Sequence, residues 1–219
     1  SQAVAQERAK VRGLENIRFI RGSLLDVAEI APGPWDYIDC CGVLHHLEDP
    51  DAGLVALTGV LAPDGGLGIM VYGALGRTGI YHVQEMMAAI APPGDSDDEA
   101  RVAMAKRLLD NLPPTAWLNR NGQVRDHKEG GDPGIYDLFL HARDRAYRVP
   151  EVLDMTGSAG LRLVTFIEPY RYDPLLLVRD PQPKKALAGL DPLEQAAFAE
   201  LYLGNIKQHV FYAVRKDNQ

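Results

Sequence analysis

Few features of this 219-residue sequence suit a secreted or membrane-spanning protein. Only two cysteines occur, Cys40 and Cys41, and because they are adjacent in one predicted strand they point to opposite faces and indicate no disulfide framework. No apolar run approaches the roughly 20 residues that a membrane helix needs, and no signal peptide opens the chain. We therefore expect a cytoplasmic protein in a reducing compartment, with no membrane partner.

A basic excess is also lacking. The chain has 23 Lys and Arg against 30 Asp and Glu, which gives a net charge of −7 and a pI of about 5.3. This balance argues against a broad nucleic-acid surface, so we expect no nucleic-acid partner. Hydrophobic residues make up 46% of the chain, and a chain of this length can bury one sizeable core.

The clearest pattern runs over residues 34–72. Residues 37–42 are a short apolar run that ends at a glycine and predicts a buried strand. Asp49 and Pro50 then suit the cap and first turn of a helix, whose apolar face is formed by Leu54, Leu57 and Leu61. Residues 63–66 form a predicted turn, and residues 67–72 a second buried strand. This unit predicts two parallel neighbours, with ligands bound at their carboxyl ends.

Two segments of this stretch resemble a known family. D-Y-I-D-C-C-G-V-L-H-H-L-E-D-P and V-L-A-P-D-G-G-L-G-I-M-V-Y-G resemble the fourth and fifth motifs of class I S-adenosylmethionine-dependent methyltransferases. The following G-R-T-G-I-Y-H-V-Q is similar to a bacterial group within that family. The resemblance implies an α/β Rossmann-like sheet with an antiparallel last strand, S-adenosylmethionine as cofactor, and methyl transfer to a small-molecule or protein acceptor.

The chain enters this family pattern in its middle. A helix over residues 1–12, a strand over residues 17–20 and the G-x-L-L of residues 22–25 resemble the helix before the third motif and that motif itself. The glycine-rich loop and the acid that bridges the ribose are missing, because the glycines of residues 65–68 lead into a strand instead of leaving one. We therefore expect an amino-terminally incomplete sheet in a fragment of a longer protein, which binds S-adenosylmethionine poorly when isolated.

The missing strands leave two predicted strand edges without partners. Three solutions are open: the parent protein is longer, the strands of residues 17–20 and 37–42 pair directly, or self-association covers the edges. The predicted organisation is a partial cofactor-binding core at 1–73, a helical cap at 74–148 and the carboxy-terminal part of the core at 149–219. Cap helices are predicted over residues 78–90, 98–112 and 135–141, with a lid or binding loop over 115–134. The last part holds predicted helices at 150–157 and 191–203, and strands at 161–168 and 207–215.

The resemblance implies two cofactor-binding segments. Ser23, Leu24 and Leu25 would lie along the adenine. The backbone of Cys41, Gly42 and Val43 would pass the methionine end of the cofactor, where a glycine allows close approach. The alternative is that both segments are ordinary strand ends.

Histidines and a tyrosine–arginine set supply the remaining candidates. His45 or His46 is a candidate general base at the end of the first strand, and the alternative is a histidine that packs or caps the Asp49 turn. Their spacing matches no strong metal-ligand pattern, so no metal is expected. Candidate substrate-binding residues are Tyr72, Arg77, Tyr81 and Gln84. Asp144 and Arg145 are expected to form structural ion pairs that close the cap. A non-catalytic methyltransferase-like binding or scaffold module is the alternative function.

Overall fold

The computed structural model describes residues 2–141 and 143–218, whose strands form one mixed five-stranded sheet. The strand order is β1-β2-β5-β4, and the short β3 pairs with β2 beyond the end of β1. The strands are β1 (Trp35–Cys41), β2 (Leu61–Gly73), β3 (Ala146–Tyr147), β4 (Leu161–Phe166) and β5 (Gln208–Arg215).

Strands β1 and β2 are parallel neighbours, as predicted, with Ile38 opposite Leu67 and Cys41 opposite Met70. The predicted turn at residues 63–66 is wrong in one respect, because it lies inside β2. Trp35 pairs with Leu61, but Tyr37 pairs with Gly66, so the intervening residues bulge out of the ladder before pairing resumes. The strand therefore begins six residues earlier than the apolar run alone indicates.

Local sequence accounts for the helix between these strands. It spans Pro50–Gly59, and the Asp49 carboxylate accepts a hydrogen bond of 2.9 Å from the Ala52 amide. Pro50 occupies the first turn, where its missing N–H has no helical partner to lose. Leu54 and Leu57 are buried against the sheet, as predicted for the apolar face of this helix. The third predicted member, Leu61, is wrong, because it pairs with Trp35 as the first residue of β2.

The carboxy-terminal strand runs antiparallel to both of its neighbours. Leu67 of β2 faces Ala213 of β5, and Leu161 of β4 faces Arg215 of β5. Phe211 and Ala213 are fully buried in the sheet core. The predicted α/β Rossmann-like sheet with an antiparallel last strand is confirmed.

The predicted strand over residues 17–20 is wrong, because these residues pair with no strand among the described residues. Ile17 and Ile20 are 44% and 40% exposed. A strand is stable only when its backbone groups and side chains meet a neighbour, and within the described ranges β1 is bonded on one edge only, to β2. Direct pairing of residues 17–20 with β1 is thereby overturned, and self-association across this edge stays a prediction.

Twelve α-helices and three short 3₁₀ helices occur in the described ranges. The α-helices are α1 (Gln2–Val11), α2 (Val27–Ile30), α3 (Pro50–Gly59), α4 (Ile80–Ile90), α5 (Asp98–Asp110), α6 (Trp117–Arg120), α7 (Asp126–Glu129), α8 (Gly131–Phe139), α9 (Val149–Ser158), α10 (Pro174–Leu177), α11 (Pro181–Leu187) and α12 (Pro192–Leu203). The 3₁₀ helices are Leu24–Asp26, Leu44–His46 and Pro169–Tyr172. In this part of the chain no helix is both long and apolar enough to cross a membrane.

Two hydrophobic clusters hold these elements. The first lies between the sheet and helices α3, α9 and α12, and includes Leu54, Ile69, Val152 and Phe211. The second joins α4, α5 and α8 and includes Ile80, Met87, Val102, Ala105 and Phe139. The helices of residues 80–139 therefore have a core of their own. The domain boundaries at residues 73 and 148 stay predictions.

Candidate functional site

The carboxyl end of β1 is open to solvent. Cys41 is exposed and Val43 is 39% exposed. Gly42 between them has a φ of +76°, a left-handed conformation that glycine adopts without strain. Of the described residues, only Met70 comes within 4 Å of a Cβ atom built on Gly42, with its methyl group at 3.5 Å. The backbone at the end of this strand is therefore free to approach a bound molecule closely.

The second predicted cofactor-binding segment, residues 23–25, lies close to the first. The Ser23 hydroxyl accepts a hydrogen bond of 3.2 Å from the Leu25 amide, and so caps the 3₁₀ helix Leu24–Asp26. Leu24 and Leu44 both approach Gly53 of α3, where an added Cβ would lie 3.4 Å and 3.3 Å from them. Because Leu44 directly follows Val43, the packing against α3 brings the two segments to the same side of this helix.

His45 is a buried, neutral ring. It is 1% exposed, and its ring lies 3.8 Å from that of Tyr72 between centroids, at an interplanar angle of 30°. Neither ring nitrogen forms a hydrogen bond to a described residue. Burial, reinforced by the neighbouring His46, Arg77 and His141, lowers the pKa of His45 from 6.5 to about 3.

His46 has a defined tautomer. Its Nδ1 lies 2.9 Å from the carbonyl oxygen of Arg143, and because a carbonyl can only accept, Nδ1 carries the proton and Nε2 the lone pair when the ring is neutral. The Nδ1 of His141 lies 2.7 Å from the same oxygen. The ring of His46 is 4.3 Å from that of His45 and 4.2 Å from that of His141. We call these three residues the histidine cluster.

Three of the four predicted substrate-binding residues bond to one buried carboxylate. The Arg77 guanidinium donates to Asp144 at 2.6 Å, and Gln84 donates to the same carboxylate at 3.2 Å. The Tyr81 hydroxyl lies 3.4 Å from it and accepts a bond of 3.0 Å from the Arg77 Nε. Burial is the main reason that the pKa of Tyr81 rises to about 12. We call Arg77, Tyr81, Gln84 and Asp144 the cap network, because they join α4 and the turn before it to the segment before β3.

Tyr72 links the cap network to the histidine cluster. The Arg77 guanidinium lies 3.7 Å above the centroid of the Tyr72 ring, in a cation–π arrangement, and the His45 ring also lies against Tyr72. The side chains of Arg77 and Asp144 are 6% and 1% exposed. Arg145 makes the second expected ion pair, with Glu151 at 3.6 Å. At the carboxyl end of β2, His45 therefore contacts Tyr72, Tyr72 contacts Arg77, and Arg77 is paired with Asp144.

Sequence reasoning missed the Arg143 carbonyl and the buried Arg101. A backbone acceptor leaves no signal in a sequence, since every residue has one. The amphipathic pattern of α5 gave a faint signal for Arg101, which lies in its first two turns beside the apolar Val102. Among the described residues, no three His, Cys, Asp or Glu side chains are grouped so as to hold a metal ion.

Two cavities of about 260 Å³ each adjoin the histidine cluster. One is lined by His45, Glu48, Arg143 and Arg145. The other, which we call the cap cavity, is lined by His141 together with Gln84, Met87 and Arg101. A wider space of about 740 Å³ lies between α1 and residues 20–22.

Comparison with known proteins finds a matching family model and a similar sequence. Residues 1–67 match a family model described as a methyltransferase domain. An uncharacterized protein of Synechococcus sp. is 37% identical over 174 residues, which cover 78% of this chain and 42% of that protein.

Solved structures share the fold. Two structures of PKMT2 from Rickettsia typhi, one of them in complex with AdoHcy, superpose with a TM-score of 0.71 at 16% identity, over 99% of this chain and 42% of the PKMT2 chain. The chain therefore spans about two fifths of the length of these relatives.

Proposed function

We propose that the protein transfers a methyl group from S-adenosylmethionine to a small-molecule or protein acceptor. The premise is that the chain has the class I methyltransferase fold and that residues 1–67 match the methyltransferase domain family. The observation that carries the proposal is the open carboxyl end of β1. There the left-handed Gly42 leaves its backbone accessible beside the histidine cluster. Parallel α/β sheets bind ligands at this edge.

The described residues fit a donor in two places. The backbone of Cys41, Gly42 and Val43 would hold its methionine end, because no Cβ obstructs approach at Gly42. Ser23, Leu24 and Leu25 would lie along its adenine, with Leu25 offering an apolar surface that is 51% exposed. S-adenosylmethionine, when bound, supplies a methyl group on a sulfonium, so the protein has only to align an acceptor and accept its proton.

His46 is the better candidate for that proton acceptor. Its Nε2 holds the lone pair because the Arg143 carbonyl fixes the proton on Nδ1. His45 has a pKa of about 3, which makes it too weak a base near neutral pH, where catalysis favours a base whose pKa is close to the ambient pH. We therefore assign His46 as the base and His45 as the ring that packs it against Tyr72.

The four predicted substrate-binding residues take two roles in this proposal. Tyr72 is half-buried at the end of β2 and borders the acceptor. Arg77, Tyr81 and Gln84 shape the acceptor side through their shared hold on Asp144, which fixes the segment that contributes the Arg143 carbonyl. The cytoplasm is the compartment in which we expect this chemistry.

Donor binding tests the proposal directly. Calorimetry with S-adenosylmethionine should show weak binding by these 219 residues, in keeping with the missing glycine-rich loop. A Gly42→Val variant should lose at least about a further tenfold in affinity, because a β-branched side chain is strained at this φ and projects toward the donor. Gly160→Val is the matched control. Gly160 has a φ of +74° and open space around it. It comes before β4, whereas Gly42 comes after β1, so the two glycines lie at opposite ends of the strands.

Donor affinity tests the site, and a methyl-transfer assay separates an enzyme from a scaffold. Equal donor affinity in both glycine variants would contradict the proposed donor site. Transfer of a labelled methyl group from the donor to a fraction of small molecules or proteins would support catalysis. Donor binding without any transfer would favour the non-catalytic binding module.

A further inference from the structure

We propose that the cap cavity is the acceptor subsite, and that it takes a small amphipathic molecule bearing a single carboxylate. This inference rests on the proposed methyltransferase function. It adds the chemical class of the acceptor and the residue that recognises it, Arg101.

The cap cavity has an apolar wall and one buried cation. Met87 and Phe139 are 1% and 2% exposed, and both line the cavity. The Arg101 side chain is 7% exposed and lines it as well. A guanidinium in such a place loses much of its hydration and needs acceptors in return. An apolar wall with one charged group favours an amphipathic ligand.

The protein satisfies the Arg101 guanidinium incompletely. Its Nε donates to the Ala91 carbonyl at 3.2 Å, and one terminal nitrogen reaches the Asp98 carboxylate at 3.4 Å. That ion pair is long, and the Asp98 side chain is 66% exposed, so its charge is largely screened. The other terminal nitrogen has no hydrogen-bond partner among the described residues and keeps some contact with solvent, so it is open to a ligand. A ligand carboxylate would supply the missing acceptor and charge.

The opposite side of the cavity leads to the proposed base. His141 and Gln84 both line the cavity, and the His141 ring lies 4.2 Å from that of His46. An acceptor anchored at Arg101 would therefore direct its other end toward the histidine cluster. The volume of about 260 Å³ suits only a small ligand. Glu85, also in the lining, is exposed and repels anions, so the ligand carboxylate has to lie against Arg101 and a second anionic group is disfavoured.

Calorimetry with a pair of matched probes tests this assignment. The probes are 4-hydroxyphenylacetate and its neutral amide, 4-hydroxyphenylacetamide. We expect the protein to bind the carboxylate at least about tenfold more tightly than the amide, because charge-assisted hydrogen bonds to arginine are the stronger ones. Arg101→Met should abolish that preference. Arg107→Met is the control, since Arg107 is an exposed residue of the same helix.

A second variant protects the test if Arg101→Met fails to fold. Ala88 lines the cavity from the exposed side of α4, and Ala88→Trp should fill the cavity and weaken carboxylate binding about tenfold or more. Ala89→Trp, an exposed neighbour outside the cavity lining, should bind as the unmodified protein does.

Equal affinities for acid and amide, no binding of the acid up to roughly 10 mM, or equal loss in the two tryptophan variants would each overturn the assignment. A protein that binds S-adenosylmethionine but fails these tests would refute only the acceptor subsite. A protein that binds the acid but not S-adenosylmethionine would refute the proposed function instead.

Discussion

Removal of the Asp144 carboxylate is the sharpest test of the cap network. In Asp144→Ala, the buried Arg77 loses its only ionic partner among the described residues. The guanidinium also remains in place, because its contacts with Tyr72 and Tyr81 come from other elements of the chain. The variant therefore leaves a cation that is 6% exposed without a counter-charge.

The size of the loss follows from this burial. Breaking a buried ion pair by removing one partner typically costs about 3–5 kcal/mol. Here the Tyr81 hydroxyl, at 3.0 Å, and the Tyr72 ring, at 3.7 Å, still stabilise Arg77. Gln84 also keeps its 2.8 Å bond to the Leu138 carbonyl. We therefore expect a loss at the lower end, about 3 kcal/mol in the free energy of unfolding.

Urea denaturation followed by far-UV circular dichroism measures this loss. Glu48→Ala is the matched control, because it breaks the Arg143–Glu48 pair, whose side chains are 57% and 80% exposed, and should cost less than about 1 kcal/mol. The double variant Arg77→Met with Asp144→Leu removes both charges and should recover most of the stability. A loss below about 1 kcal/mol in Asp144→Ala would refute the reasoning.

Three further predictions concern single buried or catalytic groups. His45→Phe should unfold within about 1 kcal/mol of the unmodified protein at pH 7, because neither ring nitrogen has a partner among the described residues to lose. Since the folded pKa of His45 is about 3 against 6.5 in the unfolded chain, the unfolded state takes up the proton first, and stability falls as the pH drops from about 6.5 toward 3. Denaturation at pH 5 should show a His45 component of about 2 kcal/mol that His45→Phe lacks, and parallel curves for the two proteins would contradict it. His46→Gln should slow methyl transfer about 100-fold or more while donor affinity measured by calorimetry is unchanged, and full activity in this variant would exclude His46 as the base. Glu200→Ala should lower the free energy of unfolding by about 3 kcal/mol, because this fully buried carboxylate accepts hydrogen bonds from the Val149 amide at 2.9 Å and the Arg148 Nε at 3.1 Å. In the same urea titration, the control Glu7→Ala, at an exposed residue, should lie within about 0.5 kcal/mol of the unmodified protein.

Local signals in the sequence were sufficient for the helix after β1. Asp49 and Pro50 fix its first turn through a side-chain cap and a pre-set φ, both of which act within four residues. The parallel pairing of β1 and β2 also follows from the sequence, because two apolar strands joined by a helix have few other ways to bury both faces. The antiparallel β5 was inferred from the family resemblance.

Long-range contacts decided what the sequence could not. Residues 17–20 have the composition of a strand, yet no strand forms, because strand stability depends on a neighbour that composition does not report. The sequence likewise proposed His45 and His46 as equal candidates for a base. Only the fold buries the first against Tyr72 and places the second under the Arg143 carbonyl, 97 residues away.

The same division holds for the cap. Sequence alone indicated that Tyr81 and Gln84 share one helical face, with Arg77 just before that helix, because their spacing is local. It did not determine that all three meet Asp144, which is 60 or more residues away from each of them. Nor did it show that Arg101 is buried beside an apolar cavity. The residue types determine which groups can form hydrogen bonds, whereas the packing of elements distant in the sequence determines which partner each buried charge meets.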